Sequence, residues 1–519
     1  MIDLTVAQIA DIVGGQLAGI SAKDAADLHV TGTVEFDSRK VTPGGLFLAL
    51  PGARSDGHDH ARSAVAAGAV AVLAARPVGV PAIVVSPVGP VPPAAQRGSG
   101  LAGVLEHDND GSGAAVLAAL AKLAAAVAAE LAAAGLRIVG ITGSSGKTST
   151  KDLLAAVLEP LGEVVAPPGS FNNELGHPWT VLRATAGTDY LILELSARHP
   201  GNIAELAAIA PPAIGVVLNV GTAHLGEFGS REAIANTKSE LPQAIPRSGV
   251  VVLNVDDPAV AAMAEVTAAR VVRVSRHHRT DTGPADVWAG PVTLDELARP
   301  QFTLHAGAGS VVEIRLAVHG DHQVSNALCA AAVALECGAT TEQVAQALAG
   351  AGPVSQHRMR VSTRADGVTV IDDAYNANPD SMQAGLQALA WIARGGGAAP
   401  RRSWAVLGEM AELGEDAISE HDRIGRLAVR LDVSRLVVVG MGRSMSAMHH
   451  GAVMEGAWGS EAENGAAIVA DADAALALLR AELQPGDVVL VKASNAAGLG
   501  ALADSLLADT GAADQGDRR

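Results

Sequence analysis

Aromatic side chains are scarce: Phe, Trp and Tyr supply 2% of the 519 residues. So few rings exclude a stacked-base platform as the main design. The core must be built from Ala, Val, Leu and Ile. Cysteine occurs twice, at Cys329 and Cys337, in one apolar Ala-rich segment. That is no disulfide framework; two buried thiols in a reducing cytosol is the simpler reading, so a cytoplasmic location is expected. Basic residues are outnumbered, 37 Lys and Arg against 55 Asp and Glu, for a formal net charge of −18. A surface of that sign repels phosphate backbones, so no nucleic-acid partner is expected. An anionic small molecule would need a locally basic cleft. Uninterrupted apolar runs are also missing. The most apolar stretch, 114–135, is mostly Ala and carries Lys122 and Glu130. It reads as a soluble helix, not a membrane span. The opening "MIDLTVAQIADIVGG" has neither the basic start nor the apolar run of a signal peptide.

What is present is the composition of a soluble globular chain, 49% hydrophobic and 18% charged, long enough for two to four domains. Residues 89–113 are rich in Gly, Pro and polar residues and read as a linker. Beyond it, "LRIVGIT", "DYLILELS", "AIGVVLNV" and "GVVVLNVDD" are short continuous apolar runs, as buried parallel strands are. "GVTVIDDAY", "SWAVLGEM", "RLVVVG" and "DVVLVKAS" follow the same pattern. Helical stretches, such as 151–160 and 325–337, lie between most of them. Alternating β and α units predict an α/β fold with mostly parallel sheets covered on both faces. A second break falls at "GAGPVSQHRMR", 350–360. Three units are expected, 1–115, 116–355 and 356–519, with a disordered tail "GAADQGDRR". No internal repeat is visible.

"RIVGITGSSGKTSTKDLL", 137–154, nearly spells a phosphate loop. The common pattern has four residues between its first Gly and Gly-Lys-Ser/Thr. Here Ile141 stands where that Gly would be, and the nearer Gly143 leaves only two residues before Gly146. The context is nevertheless right: an apolar strand runs into the turn, and a helix with Leu153, Leu154, Val157 and Leu158 on one side leaves it. A helix N-terminus attracts anions through free N–H groups and its dipole. Lys147 would reach outer phosphates, and Thr148 would offer a hydroxyl to Mg²⁺. The competing reading is a Gly-rich turn with a solvated lysine. The strand–helix context favours a short phosphate loop, Gly143, Ser144, Ser145, Gly146, Lys147, Thr148 and Ser149.

Strand ends add support, because ligands of open α/β sheets sit at carboxyl ends. Apolar runs end in Glu194, Ser196 and Arg198; in Asn219 and His224; in Asn254, Asp256 and Asp257; and in Asp372, Asp373, Tyr375, Asn376 and Asn378. Glu194 near a phosphate loop is a natural Mg²⁺ ligand. Any one of these could instead cap a loop.

With "TGSSGKTS" at 142–149 the chain resembles the Mur ligases, ATP-dependent enzymes that add amino acids to the peptidoglycan precursor. The resemblance runs along nearly the whole chain. It includes "DSRKVTPGGLFLALPGARSDGHDH" (37–60), "SFNNELGHPWT" (170–180), "LELSARHPGNI" (193–203) and "NVGTAHLGEFGSREAIANTKSEL" (219–241). "GDHQVSNALCAAAVAL" (320–335), "HRMR" (357–360), "LGEMAELG" (407–414) and "VLVKAS" (489–494) continue it. "IDDAYNANPDSM" (371–382) looks like the branch that joins D-alanyl-D-alanine to UDP-N-acetylmuramoyl-tripeptide. The Asp-Asn-Pro-Arg motif usual in the diaminopimelate-adding branch is absent.

The resemblance implies three domains: an N-terminal UDP-binding α/β unit, a central P-loop-type ATPase and a C-terminal Rossmann-like unit. It implies ATP and Mg²⁺ as cofactors, and a tripeptide carboxylate that ATP phosphorylates before the dipeptide amine attacks. It also implies a monomer without a membrane segment. Lys147 would hold the β/γ-phosphates. Thr148, Glu194, His224 and Lys238 would ligate metal, Lys238 as a carbamate. Asn326 would meet adenine, Arg358 the γ-phosphate and Asp372 the ribose. Ser38, Arg39, Asp56, Gly57 and His58 would face the uridine nucleotide. Asn172, Asn173 and Arg198 would face sugar and peptide, and Tyr375, Asn376 and Asn378 the D-alanyl-D-alanine. Ser196 stands where the family more often has Gly, and Asn495 where Arg is common. The rivals are a folylpolyglutamate-synthetase-type ligase and a nucleotide-binding regulator without ligase activity. "DSR…DGHD" speaks against the first, and the joint presence of Glu194, His224, Lys238 and Asp372 against the second. "GMGRSM" (440–445) starts like a dinucleotide fingerprint but has Met445 for the third Gly.

Overall fold

The computed structural model describes residues 1–53, 55–87, 105–221, 225–281, 283–307, 309–395, 400–456 and 465–508. His224, most of the 89–113 stretch and the tail 511–519 lie outside the described residues.

The N-terminal segment builds a five-stranded sheet. Val34–Glu35, Gly45–Leu48, Ala69–Ala74 and Ala82–Val84 run parallel, and Gln16–Ala18 closes one edge antiparallel. Helix α1 (Ser112–Ala133) follows. By length and composition alone it could cross a membrane. Here Val116, Leu120, Leu123, Val127 and Leu131 are buried along it, as in a core helix. The Asp108 carboxylate accepts from the Gly113 and Ala114 amides at its start.

Ten strands form the central sheet. Its strand β1 (Arg137–Thr142), third from one edge, leads into α2 (Lys147–Leu158), whose Leu153, Leu154, Val157 and Leu158 are buried as expected. β1 lies between β2 (Tyr190–Glu194) and β3 (Ile214–Val217), both parallel to it. The chain first builds outward on the β2 side and then crosses to β3. This reversal opens a crevice at the carboxyl end of β1, where α/β sheets hold ligands. Helix α3 (Arg231–Ala244) precedes β4 (Val250–Asn254), and α4 (Gln323–Glu336) packs over α2. One end of this sheet departs from the parallel expectation: Pro300–Ala306 runs antiparallel to both Val287–Ala289 and Ser310–Arg315. Its inward Phe302, Leu304 and Ala306 alternate with half-buried residues, as in a strand covered on one face.

The C-terminal sheet has six strands. β5 (Thr369–Asp372) pairs with β6 (Val488–Lys492) in parallel, and Arg360–Thr363 runs antiparallel at the edge. Helix α5 (Pro379–Arg394) leaves the carboxyl end of β5. One cluster of buried side chains runs from the N-terminal sheet through α1 to one face of the central sheet. A second, under α2 and α4, fills the other face. Residue 115 thus falls inside α1 and a shared core.

Candidate active site

The short loop 143–146 is tied to the neighbouring strand end. Asn219, two residues past β3, accepts from the Ser144 and Ser145 amides through Oδ1 at 2.9 and 3.0 Å. Its amide donates to the Ser145 carbonyl. The Ser144 hydroxyl accepts from the Gly221 amide. Gly146 has φ +84°, and a Cβ there would lie 2.6 Å from Asn326 Oδ1. Only glycine fits both constraints. A Cβ on Gly143 would press on Leu218 at 2.9 Å. Lys147 donates to the Gly143 carbonyl at 2.6 Å, folding back over the loop. Burial pulls its pKa below the ordinary lysine value; Glu194 opposes this and Arg358 adds to it.

Glu194 ends β2 fully buried. Its Oε2 accepts from the Thr148 and Ser170 hydroxyls, both at 3.3 Å. Its Oε1 is buried with no hydrogen-bond partner among the described residues. Burial raises the carboxyl above its usual range, against the pull of Lys151, Lys147 and Arg358. An orphaned carboxylate oxygen beside a threonine hydroxyl is the donor set a hard cation takes. Lys151 was not singled out in the sequence. It is buried one helical turn past Lys147 and donates to the Pro167 carbonyl and the Ser355 hydroxyl. A second lysine four residues on was the available signal.

Arg358 arrives from the C-terminal unit. Its Nη2 donates to the Thr148 hydroxyl at 3.3 Å, and its guanidinium stacks 4.2 Å from the Tyr375 ring centre. Between the two units lies a cavity of ≈ 260 Å³ lined by Gly146, Ser149, Asn326, Arg358, Asp373 and Lys492, among others. Lys238, on α3, is buried, and burial with the nearby Lys147 lowers it to about 7.

Several expected residues sit elsewhere. Asp372 does not line the cavity; its carboxylate takes the His357 Nδ1 at 2.8 Å. Successive residues of an extended chain face opposite sides, and it is Asp373 that lines the cleft, holding Lys492 at 2.5 Å. Asn378 uses Oδ1 to cap α5 at the Ser381 amide, so that atom is taken. His58 is buried with both ring nitrogens engaged, Nδ1 on Asp56 at 2.7 Å and Nε2 accepting from the Ala75 amide. Asp56 also binds Arg76. A Cβ on Gly57 would strike the Leu50 backbone at 2.7 Å. Asp56-Gly57-His58 therefore braces its own unit through these contacts, with the Asp56 side chain 31% exposed. Ser38 is half-buried and Arg39 exposed, its guanidinium on Asp37. Asn172 donates to Ser170, and Asn173 accepts from the Gly176 amide. Arg198 pairs with Glu412 of the C-terminal unit. Asn376 is exposed next to Tyr375.

Family models agree with this arrangement. "Mur ligase family, catalytic domain" matches residues 31–97, "Mur ligase middle domain" 141–334, and "Mur ligase, glutamate ligase domain" 357–495. The chain is 78% identical to the UDP-N-acetylmuramoyl-tripeptide–D-alanyl-D-alanine ligase of Mycobacterium tuberculosis, over 98% of each chain. Among solved structures it is similar to MurF from Acinetobacter baumannii, with TM-score 0.77 and 28% identity over 97% of this chain and 99% of that one. It is also similar to MurF ligase from Thermotoga maritima, solved in complex with ADP, with TM-score 0.70 and 26% identity over 93% of this chain and 98% of that one. With identity of this extent joined to a short phosphate loop, a buried acid and an arginine from the facing unit, the chain belongs to the Mur ligase family.

Proposed function

We propose that this chain is an ATP-dependent ligase that joins D-alanyl-D-alanine to UDP-N-acetylmuramoyl-tripeptide in peptidoglycan precursor synthesis. The 78% identity to a ligase of that name supports the substrate pair. The observation that carries the chemistry is Arg358 of the C-terminal unit on Thr148 of the loop, beside a buried Glu194 with one unpaired oxygen.

In this reading the tripeptide carboxylate attacks the γ-phosphorus of ATP, and ADP leaves. The dipeptide amine then attacks the acyl carbon, gives up a proton, and phosphate departs with the C–O electron pair. The catalytic work is positioning and cation clamping. The Ser144 and Ser145 amides are occupied by Asn219, so the phosphates meet the N–H groups that begin α2, together with Lys147. Arg358 clamps the transferring group. Thr148 and Glu194 would hold Mg²⁺, with His224 and a carbamylated Lys238 completing the set; the ion would offset phosphoryl charge. A lysine held at about 7 has enough neutral amine near neutrality to take up CO₂. Asn326 serves adenine, and Asp373, in place of Asp372, the ribose.

Ser38 and Arg39 remain the candidates for the uridine nucleotide. Asn172, Asn173 and Arg198 serve sugar and peptide, and Tyr375 and Asn376 the dipeptide. The division into units 1–115, 116–355 and 356–519, a monomeric state and a cytoplasmic location belong to the same reading.

Phosphate release from ATP with Mg²⁺ tests it. Turnover should require both UDP-N-acetylmuramoyl-tripeptide and D-alanyl-D-alanine. Lys147→Ala should lower it about 10²–10³-fold, since a lost transition-state donor in a dry site has that effect. ATP binding without turnover on this pair, or turnover on a folate-type acceptor, would overturn the substrate assignment.

A further inference from the structure

Arg358 is flanked by two non-glycine residues in the left-handed region, His357 at φ +56° and Met359 at φ +48°. Such backbone is disfavoured and persists only where the surroundings over-determine it. Both flanks are pinned from the end of β5. On one side the buried Asp372 carboxylate takes His357 Nδ1 with both oxygens, at 2.8 and 3.0 Å. On the other, Asp373 Oδ1 accepts from the Met359 amide at 3.1 Å. The His357 carbonyl is held as well, by the Tyr375 amide at 3.2 Å. The turn between these pins carries the guanidinium to Tyr375 and Thr148. Arg358 Nε is buried without a hydrogen-bond partner among the described residues, so the side chain does not anchor itself at that atom. Its aim depends on the backbone that bears it.

We propose that Asp372 is a positioning residue for the ligase reaction: through the His357 imidazole it holds the left-handed turn that aims Arg358 at the phosphate loop. This rests on the reading of Arg358 as the clamp on the transferring phosphate. Asp372 itself does not line the cavity between the units. Removing it lets His357 turn, relaxes the backbone at 357 and swings the guanidinium off Thr148.

The test uses the full chain with both substrates and ATP, and compares Asp372→Ala, Asp372→Asn, His357→Ala, Arg358→Ala and the double variant Asp372→Ala/Arg358→Ala. Asp372→Ala should lower kcat about 30-fold with KM for ATP within about twofold, as a displaced clamp does. Asp372→Asn, whose amide oxygen still accepts from Nδ1–H, should recover to within about fivefold of wild type. His357→Ala should match Asp372→Ala, and carries the test where the latter fails to fold. The double variant should be no slower than Arg358→Ala alone, because the two act as one unit. Multiplying losses, an unchanged kcat in Asp372→Ala or His357→Ala, or a change confined to KM would each overturn the proposal while leaving the Arg358 reading intact. Normal turnover by Arg358→Ala would remove that reading, and this inference with it.

Discussion

Lys147, Lys151 and Arg358 all bear on one buried acid, Glu194; Lys151 is paired with Asp152 at 2.7 Å, which leaves Lys147 and Arg358 as a local positive excess until phosphates arrive. That local excess resolves how a chain of net charge −18 can hold a polyanion. The sequence identified Lys147 and Glu194 because a loop motif and a strand end mark them. It did not mark Lys151, whose helical neighbours look like any amphipathic helix. It marked Asp56 and His58 by a motif, which says nothing about which way a side chain points, and both ring nitrogens of His58 are engaged within the chain. Asp56 is held at about 2: burial works to raise it, but Arg76 and His58 outweigh burial. Its unfolded value is 3.8. The stabilisation is therefore complete above 3.8 and disappears as pH falls through about 2. With part of the group in solvent, about 1–2 kcal/mol is expected. Urea unfolding of Asp56→Asn should fall short of wild type by that amount at pH 7, and the gap should close near pH 2.

At the scale of elements, the β1–loop–α2 unit was legible because each part is locally consistent: an apolar run, a glycine turn, an amphipathic helix. The loop's short spacing is written in its own residues, but its conformation is held by ties to Asn219 and Gly221. Gly146→Ala should place a methyl against Asn326 and strain φ together. Nucleotide affinity by calorimetry should drop at least about tenfold, roughly 1.4 kcal/mol, while the far-UV spectrum stays unchanged. An unaltered affinity would mean that the loop does not hold phosphate in this conformation. The antiparallel end of the central sheet was not legible. Pro300–Ala306 alternates buried and half-buried residues and Ser310–Arg315 is mostly exposed, and a two-residue alternation is a weaker signal than a continuous apolar run.

At the scale of the whole molecule, the site exists only where the central and C-terminal units meet. Besides Arg358 on Thr148, the backbone at Gly226 touches that at Gly414, and a Cβ on Gly226 would lie 2.5 Å from the Gly414 amide nitrogen. Gly226 is not among the residues of positive φ, so alanine there meets no strain of its own and acts as a wedge. Gly226→Ala should lower kcat about tenfold with ATP affinity kept, because assembly of the site on closure is impaired while loop binding is not. Solution scattering should report a larger radius of gyration with nucleotide bound. Unchanged turnover would show that this contact is not part of the working geometry.

The linear chain by itself determined the α/β class, the strand and helix that hold the phosphate loop, and the family. These rest on local periodicity and on motifs whose spacing is short enough to be read along one segment. Tertiary structure alone decided which of two adjacent aspartates faces the cleft, that His58 turns Nε2 to the Ala75 amide, and that Arg358 reaches Thr148 across 210 positions of chain. The reason is physical: a side chain's partner is set by packing between distant elements, and no local pattern encodes the direction from which that partner comes.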